Sequence, residues 1–290
     1  MRHKNFAVLI LTHGRPDCVY TVDALKEVGY TGPIFFLCDD EDESLPEYKK
    51  KYGEAVHVFC KQEWLDKSDV MDSAEEPRSI VLPARNYCFE LAKKLGLDYF
   101  LELDDDYRYF AIKGIRNGGL YDYRRFARFD DICDVYLDFL DSNELIATVC
   151  FFQCGDYIGG MKGQTFRNKI RFKAMNSFFC KTSRPFQFLG RLNEDLTMSV
   201  VEGMRGRLCM TIGDFVLNQT PTQHNAGGLT EAYLELGTYQ KSFYSVMAAP
   251  AVVKISTMGD FHKRIHHKVN WNCVHPYILS ERWKKKAESR

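Results

Sequence analysis

Apolar residues fall in short blocks separated by turn residues and charges. The first block, "FAVLIL" at 6–11, is six continuous apolar positions followed by a tight turn at Gly14–Pro16. A short unbroken apolar run of this kind predicts a strand buried on both faces. Asp17 is placed to cap a helix running through Val28, with Gly29 and Gly32 at its exit. "GPIFFLCDDEDE" predicts a second buried strand that ends in acids, and "AVHVFC" at 55–60 a third. The polar stretch 61–78 predicts a loop. In "LPARNYCFELAKKLGLDYFLELDDD", Pro83 suits a first helical turn and Gly96 an exit. Ala84, Tyr87, Cys88, Leu91, Ala92 and Leu95 recur at three and four residues and give that helix one apolar face. A fourth strand follows at 99–103.

This alternation predicts an α/β fold with a mainly parallel central sheet flanked by helices. Ligands bind such sheets at the carboxyl ends of the strands, where Asp39, Asp40, Asp104 and Asp106 fall. Beyond 110 the pattern predicts strands at 145–152, 169–180 and 208–217 and a helix at 194–204. It then predicts a helical stretch at 229–248, a short strand at 252–255 and a closing helix at 276–286. No shift in composition marks a domain boundary.

The carboxylates at 104, 105 and 106 are the sharpest chemical signal. If strand geometry persists, Asp104 and Asp106 share a face and Asp105 takes the other. Two carboxylates on one face repel unless a cation sits between them. A hard divalent ion such as Mn2+ or Mg2+ takes oxygen ligands and bridges protein carboxylates to substrate phosphates. The competing reading is a solvated loop in which Asp106 pairs with Arg108.

Charge and composition narrow the class. Lys+Arg and Asp+Glu balance at 39 each, yet acids gather before Asp106 and bases at 162–184 and 261–290. Ten cysteines include no CxxC pair, which argues against a zinc ribbon. Cys38, Cys88, Cys150 and Cys180 lie within apolar runs, which predicts reduced, buried thiols and a cytoplasmic setting. No run approaches the roughly 20 residues of a membrane helix.

"LTHGRP", "CDD", "ARN" and "LELDDD" occur in the order found in GT-A fold glycosyltransferases, and "LNEDLTMSVVEGMRG" resembles the acidic motif that opens a helix facing their donor sugar. Within that class the chain is similar to the TET/JBP-associated glycosyltransferases, through "RSIVLPARNYCFELAKKLGLDYFLELDDD" and "QHNAGGLT". The resemblance spans about residues 6–230. It implies a GT-A, Rossmann-like domain over 1–290, with a nucleotide-sugar half at 1–110. The acceptor half, 111–290, would carry a smaller mixed sheet and end in a helical segment. It also implies an enzyme, many of whose relatives are phage-encoded and act in the host cytoplasm, that moves a hexose from a UDP-sugar to hydroxymethylated pyrimidines in DNA.

On that resemblance Asp104 and Asp106 hold the metal and Asp105 lies at the nucleotide sugar. Thr12, Gly14 and Arg15 cradle the nucleotide, Asp39 or Asp40 accepts from uracil or ribose, and Arg85 offers its fork to phosphate oxygens. Asn193 caps a helix whose first turn holds Glu194 and Asp195. Asp195 is the candidate general base, which implies inversion, and Glu194 is the alternative. His224 is nominated as a third metal ligand from a late loop closed by Gly227 and Gly228, in competition with His262, His266, His267 and His275.

On the acceptor side, "FRNKIRFK" at 166–173 has a two-residue period. Arg167, Lys169, Arg171 and Lys173 then share one strand face and form a phosphate-tracking stripe. Such a stripe also protects an edge strand from aggregation. Three other functions stay open: the same fold with a protein, lipid or glycan acceptor, a sugar nucleotidyltransferase, and a DNA-binding protein whose acids hold a structural metal. Sugar identity, cytosine against uracil, and oligomeric state are not encoded in any motif.

Overall fold

The computed structural model describes residues 1–71, 80–219, 239–259 and 263–275. Its frame is a ten-stranded sheet in the order β3-β2-β1-β4-β9-β7-β10-β5-β6, with β8 paired to β10. The four strands expected from the apolar blocks are present: β1 (Phe6–Leu11), β2 (Ile34–Asp39), β3 (Val56–Phe59) and β4 (Tyr99–Asp104). They run parallel. Beyond them come β5 (Tyr107–Arg116), β6 (Gly119–Tyr123), β7 (Ile146–Gln153), β8 (Ile170–Arg171), β9 (Ser177–Lys181) and β10 (Leu208–Gln219). β9 is antiparallel to both β4 and β7, so residues from both sides of position 110 share one sheet. A separate small sheet is the antiparallel hairpin of β11 (Val253–Met258) and β12 (Arg264–Val269).

Strand alternation divides the core in two. Phe6, Val8 and Ile10 of β1 and Leu101 and Leu103 of β4 face one layer. Helices α1 (Tyr20–Glu27) and α5 (Phe129–Asp141) pack there. Leu9, Leu11 and Phe100 face the other layer, against α4 (Leu82–Lys94). Pro83 opens α4 and Gly96, at φ 67°, follows it, as the pattern predicted. Three further helices matter below: α7 (Glu194–Met204), α8 (Lys241–Ala248) and α9 (Trp271–Val274).

Several expectations are corrected. Asp17 does not cap α1, whose preceding residue is Val19; Asp17 is 93 % exposed and pairs with Lys51. The expected loop after β3 begins as a helix, α3 (Lys61–Asp66), because Trp64 and Leu65 fold back toward the core. The expected strand at 169–180 is broken. Residues 164–168 form a helix, α6 (Gln164–Asn168), Lys169 is left-handed at φ 53°, and only β8 and β9 are extended. The predicted closing helix at 276–286 lies outside the described residues. All ten cysteines are free thiols. Among the described residues no helix is long and apolar enough to cross a membrane.

Aromatic packing holds the central strands. Phe151 of β7 meets Tyr136, Phe179, Phe129 and Phe110 at ring separations of 4.8, 5.1, 5.8 and 6.0 Å. Truncation there leaves a void that a sheet centre cannot close. Phe151→Ala is expected to lower unfolding free energy by about 3–5 kcal/mol, measured by urea titration; a loss below about 1 kcal/mol means the site collapses around the cavity.

Candidate active site

Alternation along β4 sorts its acids before any ligand is considered. Phe100, Glu102 and Asp104 face the α4 layer, while Leu101, Leu103 and Asp105 face the α1 layer. The two faces treat their carboxylates differently.

On the α4 side, Arg85 lies in the first turn of α4 and is buried. Its Nη1 donates to Glu102 at 2.6 Å, its Nη2 to Asp104 at 3.1 Å and its Nε to Glu194 at 3.1 Å. Phe178 and Phe188 rings lie 5.3 and 5.6 Å from the guanidinium. The fork expected to grip phosphate is therefore already occupied by three carboxylates of the protein. Glu102, which the sequence reading did not single out, is fully buried. The Tyr107 hydroxyl donates to Asp104 at 3.2 Å.

On the α1 side, the Thr12 hydroxyl donates to Asp105 at 2.7 Å and Arg15 pairs with the same carboxylate at 2.9 Å. Tyr48 completes the arrangement, 2.6 Å from the Thr12 oxygen and accepting the Arg15 N–H at 2.9 Å. Thr21 grips the turn from α1 by donating its hydroxyl to the Asp104 carbonyl at 2.6 Å and accepting the Tyr107 N–H at 3.0 Å. Neither Tyr48 nor Thr21 was foreseen. Gly14 has φ 68°, a left-handed backbone that glycine adopts freely, and its N–H donates to Asp42 at 2.8 Å.

The strand ends at Asp104, and Asp105 and Asp106 form a turn. The expected pairing of Asp104 and Asp106 on one face of a continuing strand thus gives way to a bend. The charges still crowd: burial, with Asp104 and Asp105 alongside, pushes the Asp106 carboxyl up to about 7, although Gln219 hydrogen-bonds to it. Burial raises Asp105 to about 6.

Beside this turn, α7 begins at Asn193, which is left-handed at φ 62° and makes no side-chain cap. Its amide is turned instead to Ser245 at 2.7 Å. Glu194 and Asp195 follow, both buried. Burial raises Glu194 to about 7, with Asp104 adding to the rise and Arg85 opposing it. Burial also raises Asp195, while Lys173 and Arg85 oppose it. Asp195 Oδ1 accepts the Leu196 N–H at 2.6 Å. At the end of β2, Asp39 is buried and pairs with His13 at 2.7 Å and Lys61 at 3.5 Å; Asp40 is exposed and accepts the Lys61 N–H at 2.9 Å. The hydrogen bond to Asp39 raises the His13 pKa. His13 stands inside the quoted "LTHGRP", so the motif contained it.

The basic stripe does not form. Arg167 is on α6 and exposed, Lys169 pairs with Asp214 at 2.7 Å, and Arg171 pairs with Asp156 at 2.5 Å. Lys173 turns inward to the neighbourhood of Asp195. His224, Gly227 and Gly228 lie outside the described residues. Among the described residues no group of three His, Cys, Asp or Glu side chains could hold a metal alone.

The chemistry of the turn nevertheless fits a hard cation. Its donors are all carboxylate oxygens, and burial together with their mutual repulsion lifts Asp106. An acid whose folded pKa exceeds its unfolded value stabilises the fold at low pH, and that contribution fades as pH rises through the folded pKa. The metal-free protein is therefore expected to lose thermal stability as pH rises from about 4 to about 7, between the ordinary value of 3.8 and the folded value of the carboxyl that sits at about 7. Mn2+ added at pH 8 should restore it; a melting temperature indifferent to both pH and Mn2+ contradicts the crowding. Arg85→Met strands two buried carboxylates, Glu102 and Glu194, and the half-buried Asp104, and is expected to cost about 3–5 kcal/mol in chemical denaturation. A cost near zero would mean that the carboxylates take up protons without penalty.

The family described as TET-Associated Glycosyltransferase matches residues 6–228. No curated protein matches the chain. Among solved structures, glucosyl-3-phosphoglycerate synthase from Mycobacterium tuberculosis, in complex with Mn2+, uridine diphosphate and phosphoglyceric acid, is 10% identical. It aligns over 91% of this chain and 86% of its own with a TM-score of 0.48. Residues 1–349 of S. aureus TarS are also 10% identical, over 84% of this chain and 64% of that one, with a TM-score of 0.46.

Proposed function

The chain belongs to the TET-associated glycosyltransferase family, and from that premise we propose that it moves a sugar, glucose by default, from a UDP-sugar to the hydroxymethyl group of a 5-hydroxymethylpyrimidine in DNA, with inversion at the anomeric carbon. 5-Hydroxymethylcytosine is the preferred acceptor in this reading. The observation that carries it is the meeting of two acidic groups at the carboxyl end of the central strand β4: the Asp104–Asp106 turn, and Glu194 with Asp195 at the start of α7, joined through Arg85.

In this reading Asp104 and Asp106 hold Mn2+ or Mg2+, with His224 as a further ligand. When bound, the cation neutralises the diphosphate that leaves. Thr12 and Arg15 fix Asp105 beneath the nucleotide, and Gly14 lets the backbone approach it. Asp39, Asp40 and His13 stand at the end of β2 for the uracil and ribose. Arg85 works by positioning, since its donors are held by Glu102, Asp104 and Glu194. Glu194, pinned by Arg85, orients donor hydroxyls.

Asp195 acts as the base. Its Oδ1 is engaged by the Leu196 N–H, which leaves Oδ2 for the acceptor hydroxyl. Burial lifts its pKa and so strengthens it as a proton acceptor. The hydroxyl proton passes to Oδ2 while the hydroxyl oxygen bonds to the anomeric carbon. The bond from that carbon to the phosphate oxygen breaks, and its electron pair leaves with the diphosphate. A base inside a duplex must be rotated out of the stack to reach this carboxylate.

Two experiments test the reading. Hydroxymethylated DNA incubated with a panel of nucleotide sugars and Mn2+ should yield a glycosylated nucleoside by mass spectrometry. Modification of unmodified cytosine, or of no nucleoside, removes the acceptor. Asp195→Asn should lower kcat by about 10²–10⁴-fold while calorimetry shows UDP-sugar binding within a few-fold of wild type; near-normal turnover takes the base role from Asp195.

A further inference from the structure

Asp195 has Arg85 and the acidic turn on one side. It also lies in the field of two lysines from separate elements, with a neutral histidine of a third close to both. Lys173 follows β8, Lys241 opens α8, and His267 lies on β12; each is half-buried. Lys173 and Lys241 both act electrostatically on Asp195, and Arg264 of β12 acts on Lys241. Asp156 also acts on Lys173, and it is paired with Arg171 at 2.5 Å.

The elements that carry these groups are locked to the start of α7. Asn193 Nδ2 donates to Ser245 Oγ of α8 at 2.7 Å and lies 3.4 Å from His267 Nδ1. Thr197 Oγ1 is 3.0 Å from the same serine oxygen. Beneath them Leu196 and Val200 of α7 pack with Ala249, Val252, Val253 and Val274. The elements that carry Lys241 and His267 are thus held against the start of α7.

A second observation extends the charge outward. On the β11–β12 hairpin, Lys254 lies directly across from Lys268, Ser256 from His266 and Met258 from Arg264. Like charges placed opposite each other destabilise a hairpin, and neither strand contains a carboxylate. Lys254, Arg264 and Lys268 are exposed. Crowded cations of this kind, partly desolvated at Asp195 and, among the described residues, facing no carboxylate on either strand of the hairpin, call for a polyanion.

We propose that this is the acceptor track: Lys173 and Lys241 bind a phosphate of the nucleotide whose hydroxymethyl group reaches Asp195, and Lys254, Arg264 and Lys268 follow the neighbouring phosphates along the hairpin. It rests on the assignment of Asp195 as the base and of DNA as the acceptor. It keeps Lys173 of the 167–173 segment, drops Lys169 and Arg171, which are internally paired, and adds Lys241 and the hairpin. Burial lowers the pKa of both lysines, with Arg264 contributing at Lys241. Burial, together with His266, Lys173 and Lys241, lowers His267 to about 4. A phosphate seated there reverses the repulsion among them. Neutral His267 remains as a hydrogen-bonding group.

The test is steady-state transfer to a hydroxymethylcytosine oligonucleotide over a salt series, for wild type, Lys173→Met, Lys173→Arg, Lys241→Gln and the Lys254→Gln/Lys268→Gln pair. Each Lys173→Met or Lys241→Gln change should raise acceptor KM about tenfold and reduce the slope of log KM against log salt by about one. Lys173→Arg should recover most of the slope. The hairpin pair should lower the slope by about two on long oligonucleotides and have no effect on the 5′-monophosphate nucleoside. A retained UDP-induced rise in melting temperature identifies the folded variants. Unchanged slopes overturn the proposal, as does an equal rise in donor KM, which would assign the phosphate to the UDP-sugar. If wild type transfers to DNA but the variants do not differ from it, this inference fails alone. If wild type transfers to no hydroxymethylated nucleic acid, the inference and the acceptor reading fall together.

Discussion

One buried guanidinium organises the molecule's acidic edge. Arg85 reaches from α4 to Glu102 and Asp104 on β4 and to Glu194 on α7. The last contact joins residues 109 apart in sequence. A buried ion pair contributes little net stability, because stripping water from its charges offsets their attraction. What it supplies is geometry, since a single planar fork satisfied by three carboxylates permits few arrangements. The ends of β4 and α7 come from separate halves of the chain, and here they share a single ionic centre. Phe178 and Phe188 flank the guanidinium and keep water from competing with it.

The two faces of β4 explain why three adjacent aspartates are not equivalent. Asp104 inherits the α4 face and is anchored by Arg85. Asp105 inherits the α1 face and is anchored by Arg15 and Thr12. Each anchor brings one positive charge and fixes one carboxylate. Asp106 lies past the last extended residue, in a turn gripped by Thr21. Its carboxyl is lifted further than that of Asp105 because its neighbours' charges are added to its own burial. The strand therefore delivers two rigid carboxylates and one strained toward protonation, a set that gains from a cation more than three independently solvated acids would.

Much of this was legible in the sequence, and the rest was not, for a physical reason. Continuous apolar runs located the parallel strands, Pro83 and Gly96 bracketed α4, and Glu194 marked the start of α7, because these signals are local. Which donors each carboxylate meets is set by tertiary contacts. No spacing announces that Arg85 will meet Glu102 and Glu194, or that Tyr48 and Thr21 will support the turn. The stripe at 167–173 failed for a related reason. A two-residue period predicts a strand only if the backbone stays extended, and the left-handed Lys169 breaks it. Lys173 is then sent inward and Arg167 outward. Asn193 was legible as the residue before α7, but its side chain is spent on Ser245 and not on the helix N-terminus.

A net formal charge of zero conceals a separation built around Asp195. Toward Arg85 the surroundings are acidic and suit a cation with a diphosphate. Toward Lys173 and Lys241 they are basic and suit an anion. The carboxylate at the boundary feels both: Asp104 pushes its proton affinity up, and Lys173 and Arg85 pull it down. An inverting transfer places the leaving group and the attacking oxygen on opposite sides of the reacting carbon. Asp195, the proposed base, stands between the acidic and the basic surroundings, where the proposed inversion needs one. Polar acceptors without phosphate would leave the basic side unneutralised, and Lys173, held half-buried, would still bear the cost of desolvation. The charge distribution around one residue thus argues for an anionic acceptor independently of any single motif.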